Sequence, residues 1–307
     1  MAEASPALAG VIPVLPTPFA EDGALDPGGL GRLIEHALGW GVSGIAVLGV
    51  ASEAEKLTPE EYESVAALAG RAVAGRLPLV IGVSAGDPAG AARRAACAAR
   101  AGAAAVFAKA PAPARPETAE AELREYFVAI ADAARVPVMA QSFAVAGGGP
   151  GLLSLAALRR LVEEEPRIRY VKEETPPPEG NGKISRLREA LGERVGIFSG
   201  SGGITLVDDL RRGAVGCMPG AVLAPGLRRV HELYGQGRAE EADRLHAALL
   251  PLILFRARWG SVTVTKAILR DAGILGSARV RPPADGHLDA PACAELRRLV
   301  AERRAWL

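Results

Sequence analysis

The chain has 307 residues, a formal net charge of +1 and no block of like charges, which excludes an extended basic surface for nucleic acid or anionic membrane. No apolar run approaches the roughly 18 residues of a membrane-spanning helix, and the N-terminus lacks the pattern of a secretory signal. The three cysteines are far apart, and the four histidines form no close pair. These features predict a cytoplasmic protein with no metal site and no cofactor.

From Gly10 onward, short apolar runs alternate with amphipathic segments. The apolar runs predict eight strands, at residues 11–15, 44–48, 79–83, 104–108, 136–141, 169–173, 195–199 and 214–218. The segments between them predict helices at 27–40, 59–74, 88–101, 117–134, 154–165, 183–191 and 204–212. Pro59, Pro88 and Pro225 stand near predicted helix starts, where proline is tolerated.

Eight strands that alternate with helices favour parallel pairing and a closed (β/α)8 barrel. An open, doubly wound sheet is the structural alternative, but no Gly-x-Gly-x-x-Gly motif follows the first strand. The last part of the chain contains only helical patterns, at residues 226–235, 238–257, 263–272 and 290–306. We therefore predict an α/β fold with two parts, a TIM barrel over residues 1–224 and a helical extension over residues 225–307 that packs on it.

The stretch 167–175, which reads RIRYVKEET, places Lys172 near the end of the sixth strand. Strand periodicity puts Tyr170, Lys172 and Glu174 on one face and Glu173 on the other. A lysine in apolar surroundings is costly to bury in its charged form, and a neutral amine can attack a carbonyl carbon to form a Schiff base. The alternative is a surface lysine that pairs with a neighbouring glutamate.

Several segments of the chain resemble one known family. They are residues 10–19 (GVIPVLPTPF), 41–49 (GVSGIAVLG), 80–84 (VIGVS), 170–173 (YVKE) and 261–266 (SVTVTK). In order and spacing they are similar to the class I aldolases of the dihydrodipicolinate synthase and N-acetylneuraminate lyase group, over nearly the whole chain. The resemblance implies a (β/α)8 barrel, a homo-oligomer (tetramer or dimer) and Lys172 as the Schiff-base lysine.

The chain also departs from this family at four places. Gln141 stands where most members carry a relay tyrosine, at the end of the fifth strand. The second tyrosine is missing from residues 109–113, and Val50 and Ala51 replace the paired threonines after the second strand. The arginine after the fifth strand has no counterpart in residues 143–149. We therefore expect little or no dihydrodipicolinate synthase activity.

Two loops are candidates for holding a substrate carboxylate. Ala51 and Ser52 follow the second strand, where backbone N–H groups and a hydroxyl can bind an anion. The alternative for Ser52 is a residue at a helix start with no ligand. Ser199 and Gly200 open the stretch SGSGG after the seventh strand, where the backbone can approach an anion closely, and a plain glycine-rich turn is the alternative.

The missing relay tyrosine leaves two candidates for the acid/base, Glu174 and Tyr170, and one residue, Gln141, that can support them. Glu174 shares a strand face with Lys172 and can carry the proton from C3 of the substrate, unless it only forms a salt bridge with the lysine. Tyr170 lies one layer deeper on the same face and is either a site residue or barrel filling. Gln141 cannot transfer protons but can orient a water or a substrate hydroxyl. Glu53, in contrast, is expected to be structural and to pair with Lys56 or cap backbone amides.

These observations predict a lyase that forms an imine between Lys172 and a small-molecule 2-oxo acid. The Lys-x-Glu arrangement, without a relay tyrosine, looks like the 2-keto-3-deoxy sugar acid dehydratases of this family. One alternative is a pyruvate-dependent aldolase or synthase of the dihydrodipicolinate synthase type. Another is a non-catalytic 2-oxo-acid-binding or regulatory homologue that kept the lysine.

Overall fold

The computed structural model describes residues 8–111, 119–143 and 153–307. It contains eight parallel strands: β1 (Gly10–Val11), β2 (Ile45–Val47), β3 (Leu79–Gly82), β4 (Ala105–Lys109), β5 (Val138–Phe143), β6 (Ile168–Glu174), β7 (Gly196–Ser199) and β8 (Gly216–Cys217). The helices between the strands are α1 (Pro27–Leu38), α2 (Pro59–Val73), α3 (Pro88–Arg100), α4 (Ala119–Ala134), α5 (Leu155–Glu164), α6 (Lys183–Leu191) and α7 (Leu206–Arg211). After β8 come α8 (Ala224–Gly235), α9 (Ala239–Trp259), α10 (Ser261–Asp271) and α11 (Ala290–Arg303). Of the two segments in which family residues are missing, 109–113 lies partly and 143–149 almost entirely outside the described residues.

The strands form a closed barrel. Their order in the sheet is β1-β8-β7-β6-β5-β4-β3-β2, and Val14 joins the two ends because it bridges Ala46 on one side and Gly220 on the other. The first strand is shorter than predicted, since Pro13 has no N–H to donate and interrupts the ladder. The predicted (β/α)8 barrel is confirmed.

Side-chain caps mark the starts of the first three helices. Asp26, Thr58 and Asp87 each accept a hydrogen bond from the backbone three residues later and precede a proline in the first turn. Glu61 completes a capping box with Thr58. These local signals set where α1, α2 and α3 begin, and hence where the preceding loops at the barrel mouth end.

The core has two layers. One lies between the strands and the surrounding helices, and the other fills the barrel itself. The inner layer consists of Leu8, Ile12, Val14, Ala46, Val80, Ala105, Phe107, Met139, Tyr170, Phe198 and Met218. Inward-facing side chains therefore fill the interior of the barrel, and a functional site is expected at the carboxyl ends of the strands.

The C-terminal helices pack on the barrel after α8, the helix that follows β8. No single helix among the described residues has the length and apolar character to cross a membrane, although α9 and α10, bent by 119°, pass that test as a pair. The domain boundary at residues 224 and 225 stays a prediction.

Candidate functional site

Alternate residues of β6 face opposite sides of the barrel wall. Tyr170 belongs to the cluster inside the barrel, and Lys172 and Glu174 follow it on the same face. Glu173 faces outward, where its carboxylate lies 3.0 Å from Nζ of Lys183 in α6. Only about a twentieth of the Lys172 surface is exposed to solvent. The strand face predicted from periodicity is thus the one that the structure has.

Lys172 and Glu174 form the centre of a small polar cluster at the carboxyl end of the barrel. Nζ of Lys172 lies 3.1 Å from Oε2 of Glu174, and Nε2 of Gln141 donates to the same oxygen. The backbone N–H of Ser201 donates to Oε1 of Glu174 at 3.0 Å. Three donors from β5, β6 and the loop after β7 therefore hold both carboxylate oxygens, and Gln141 occupies the neighbouring ladder position to Lys172.

Gly200 makes room for the Glu174 side chain. A β-carbon on Gly200 would lie 1.9 Å from Cγ of Glu174 and 2.6 Å from its Cδ. Any side chain at position 200 would therefore push the carboxylate away from Lys172. The predicted contact of Gly200 with substrate stays a prediction, but its contact with Glu174 is a function of this glycine that the sequence did not reveal.

The loop after β2 is held by the hydroxyl of Ser52. That hydroxyl donates to the carbonyl of Leu15 at 2.6 Å and accepts from the N–H of Gly49 at 3.2 Å. Thr17 donates to the carbonyl of Ser52 at 2.6 Å. Ser52 is therefore engaged in positioning the loop, whereas Ala51 packs against the inner barrel cluster in the first turn of the 3-10 segment Val50–Ser52.

Ser199 faces outward from β7. Its hydroxyl donates to Oδ2 of Asp209 in α7 at 2.5 Å, and Thr205 donates to the same oxygen at 2.6 Å. Burial raises the pKa of the Asp209 carboxyl above its ordinary value, against the lowering effect of these two donors. The structure does not bring the Ser199 side chain to the face of Lys172, and the N–H of Gly200 donates to the carbonyl of Glu173 at 3.0 Å, so the predicted anion contact of these two residues stays a prediction.

Tyr170 lies in the layer beneath Lys172. Its hydroxyl accepts a hydrogen bond from the backbone N–H of Leu8 at 3.0 Å, and its ring meets that of Phe198 edge to face. Leu8 precedes β1 and so lies at the opposite end of the barrel from Glu174. These contacts support the barrel-filling alternative, and a catalytic role for Tyr170 remains an untested prediction.

Glu53 has the structural role expected of it and an additional partner. Its carboxylate lies 3.0 Å from Nζ of Lys56 and 2.5 Å from Nζ of Lys266, and it accepts from the N–H of Arg281 at 2.9 Å. Lys266 is fully buried, and desolvation lowers its pKa to about 8 despite the nearby Glu53 charge. The pair ties α10 to the loop that carries Ala51.

Two groups near the site give no clear signal in the sequence. Lys183 lies behind the barrel wall and donates to Ser142, Leu153 and Thr175 as well as pairing with Glu173, which stabilises the strand that carries Lys172. Arg256 of α9 is buried near the loops after β7 and β8. In the sequence it is one of many arginines on predicted helices, and no motif distinguishes it from the others.

Known families and structures match the chain over almost its full length. The sequence model described as the dihydrodipicolinate synthetase family matches residues 7–302. The chain belongs to this family. The dihydrodipicolinate synthetase family contains Schiff-base lyases, and the prediction of a lyase is confirmed.

Relatives in the family carry two different activities in their names. The L-2-keto-3-deoxyarabonate dehydratase of Azospirillum brasilense is 32% identical over 279 residues, 89% of this chain and 88% of that protein. The 4-hydroxy-tetrahydrodipicolinate synthase of Xanthomonas axonopodis pv. citri is 31% identical over 272 residues, 87% of this chain and 86% of that protein. The crystal structure of dihydrodipicolinate synthase from Rhodopseudomonas palustris, 30% identical, superposes with a TM-score of 0.86 over 98% of this chain and 99% of that chain.

Proposed function

We propose that this member of the dihydrodipicolinate synthetase family is a dehydratase of a 2-keto-3-deoxy sugar acid and works through a Schiff base on Lys172. The observation that carries the proposal is the Glu174 carboxylate, 3.1 Å from Nζ of Lys172 and held by Gln141 and the Ser201 N–H. It supplies a base beside the amine in a chain that has glutamine at the position of the relay tyrosine. The name of the 32% identical relative from Azospirillum brasilense agrees with this activity.

Binding of the substrate requires an anchor for its C1 carboxylate. The backbone N–H of Ala51 lies in the first turn of a 3-10 segment, where N–H groups have no partner within the segment. Ser52 and Thr17 hold this loop against β1, so the donor is fixed before substrate arrives. In the proposed complex the carboxylate rests on this loop and the C2 carbonyl faces Lys172.

The first chemical step is imine formation. The Lys172 amine, after passing a proton to Glu174, attacks C2 of the 2-oxo acid, and the carbonyl oxygen leaves as water. The nearly complete burial of Lys172 keeps bulk solvent away from the imine. The iminium then draws electrons from C2 and makes the C3 hydrogens acidic.

Elimination follows at C3 and C4. Glu174 accepts a C3 proton, the C–H electron pair forms an enamine, and the C4–oxygen bond breaks as Glu174 returns the proton to the departing hydroxyl. One water is lost, no oxidant or reductant is needed, and hydrolysis of the remaining unsaturated imine frees Lys172. A single carboxylate can serve as base and then acid because both transfers occur on neighbouring carbons.

The other activities considered for this chain have less support. A synthase of the dihydrodipicolinate type would have to work without the two tyrosines that most family members carry. Gln141 stands at the position of one of them. A non-catalytic homologue is not favoured, because the family and its relatives are lyases.

The experiment that tests the proposal offers the purified protein five- and six-carbon 2-keto-3-deoxy sugar acids, and separately pyruvate with aspartate semialdehyde. Proton NMR should show loss of the C4 hydroxyl from at least one sugar acid, and the synthase reaction should stay near background. Lys172→Ala and Lys172→Arg should both abolish turnover and borohydride-trapped labelling with pyruvate. The arginine variant is the matched control because it keeps the charge beside Glu174 but forms no imine. Normal synthase turnover with no sugar-acid dehydration would contradict the proposal.

We further propose that the protein is a cytoplasmic homo-oligomer, tetramer or dimer. Cys97, Cys217 and Cys293 are free thiols, which fits a reducing compartment. Light scattering coupled to size exclusion should give a mass that is a multiple of the 31.7 kDa chain, and a monomer mass would contradict the proposed assembly.

A further inference from the structure

Arg256 is a buried cation whose hydrogen bonds go to neutral groups. Its Nε donates to Oγ1 of Thr265 at 3.1 Å, and its Nη2 donates to Oγ of Ser261 at 3.0 Å. Only 2% of its surface is exposed, and burial lowers its pKa to about 10. Such desolvation of a charge is costly unless something offsets it.

No carboxylate forms an ion pair with Arg256 within residues 8–111, 119–143 and 153–307. Asp285 is the acidic group whose field acts on it, yet that carboxylate accepts from the backbone N–H groups of Val262 and Thr263 at the start of α10. The guanidinium therefore keeps capacity for a further oxygen ligand.

Two glycines place the guanidinium at the barrel mouth. A β-carbon on Gly220 would lie 2.1 Å from Nη2 of Arg256, and one on Gly202 would lie 3.5 Å from Nη1. Gly220 comes two residues after Met218, which points into the barrel, so by strand alternation it shares the inward face. Arg256 thus fills the space above Met218 that a side chain at position 220 would take.

The strand registers order the charged groups by depth. Lys172 is level with Phe198, so Glu174 is level with Gly200, and the β7–β8 pairing continued by one residue makes Gly200 level with Met218. Gly220 is then one strand across and two residues nearer the mouth than Gly200, about 8 Å away. Towards the mouth of the barrel, the order of the charged groups is Lys172, Glu174 and Arg256. An extended substrate with C2 at Lys172 would place C3 and C4 beside Glu174 and the following carbons near Arg256.

We propose that Arg256 binds the oxygen atoms of the substrate beyond C4 and thereby selects 2-oxo acids longer than pyruvate. The inference rests on the proposed function, because that function puts C2 on Lys172 and C3–C4 beside Glu174. A guanidinium suits such a ligand because its fixed fork of donors matches a carboxylate or two vicinal hydroxyls.

The test measures competition for Lys172, which does not require turnover. Pyruvate labels Lys172 in the presence of borohydride, and two longer acids compete: 2-keto-3-deoxy-L-arabonate, which ends in a hydroxyl, and a six-carbon 2-keto-3-deoxy diacid, which ends in a carboxylate. In Arg256→Met the affinity for the longer acids should fall about 10- to 100-fold relative to the affinity for pyruvate, the loss expected for hydrogen bonds to a charged donor. Arg256→Lys should recover part of it. The acid that loses more identifies the terminal group.

A second variant moves the guanidinium without removing it. Gly220 has φ −70° and ψ 156°, which alanine adopts freely, so Gly220→Ala should fold and displace the far end of Arg256. It should show the same selective loss. Arg303→Met is the matched control, since Arg303 is also buried but bonds to the carbonyls of Ala248 and Leu299 in the C-terminal helices.

If Arg256→Met lost affinity equally for pyruvate and for the longer acids, the proposal would be overturned in favour of a purely structural arginine. Unchanged affinities in this variant would overturn it as well. Longer acids that compete with pyruvate in the wild type but are not dehydrated would overturn the proposed dehydration and leave the Arg256 test intact. Longer acids that do not compete at all would overturn both.

Discussion

Replacement of Glu174 by glutamine tests the acid/base group most directly. The carboxylate accepts from three donors, Lys172 and Gln141 on Oε2 and the Ser201 N–H on Oε1. A glutamine has one oxygen and one NH2 group, so either orientation turns a donor towards another donor. We expect one hydrogen bond to be lost, at about 1–3 kcal/mol of folding free energy, while the side chain keeps its size.

The effect on chemistry should be larger than the effect on stability. An amide cannot accept the C3 proton, and general acid–base groups contribute typically about 10²–10⁴-fold, so kcat of Glu174→Gln should fall by that order. Exchange of the pyruvate methyl protons with deuterated water, followed by NMR, isolates this step. Borohydride labelling of Lys172 should survive but be slower, because imine formation breaks no bond at C3 yet loses Glu174 as the acceptor of the lysine proton.

Glu173→Gln is the matched control, one residue along β6 but facing Lys183 outside the barrel. It should lower stability and leave methyl exchange per folded molecule nearly unchanged. Exchange in Glu174→Gln at the wild-type rate would refute the assignment of the base. If Tyr170→Phe then lost exchange, Tyr170 would be the base.

Three further predictions use the packing around the site. Gly200→Ala should move the Glu174 carboxylate, because its β-carbon would lie 1.9 Å from Cγ; a misplacement of this kind costs about 10²-fold in kcat, and steady-state rates within threefold of wild type would contradict it. Lys266→Met should lower the free energy of unfolding in urea by about 3 kcal/mol because it leaves Glu53 buried beside fewer cations, and the double variant with Glu53→Gln should recover part of the loss. Wild type should also gain stability relative to Lys266→Met between pH 8 and 10, since the folded protein releases the lysine proton near 8 while the unfolded chain holds it to about 10.5. The gain is at most about 1.4 kcal/mol per pH unit, and an unfolding difference that shrinks as pH rises would show that the sign is wrong.

The sequence by itself determined the fold and the strand face on which Lys172 lies. Alternating apolar runs and helix-start prolines such as Pro59 and Pro88 are local signals, because each depends only on residues a few positions away along the chain. The period of two along β6 was enough to put Lys172 and Glu174 on one face, since successive side chains of any strand point to opposite sides. These inferences needed no knowledge of neighbouring strands.

Only the tertiary structure decided how the mouth of the barrel is used. Ser52 was a candidate for binding the substrate carboxylate, but its hydroxyl donates a hydrogen bond to the carbonyl of Leu15, 37 positions earlier in the chain. Gly200 was a candidate for contact with a substrate anion, with a plain turn as the alternative, and the structure shows that the absence of its side chain leaves room for Glu174. Arg256 comes from a helix that follows the whole barrel. The physical reason is common to all three: hydrogen-bond partners and van der Waals space at the mouth come from different strands and helices, and closing the barrel brings them together.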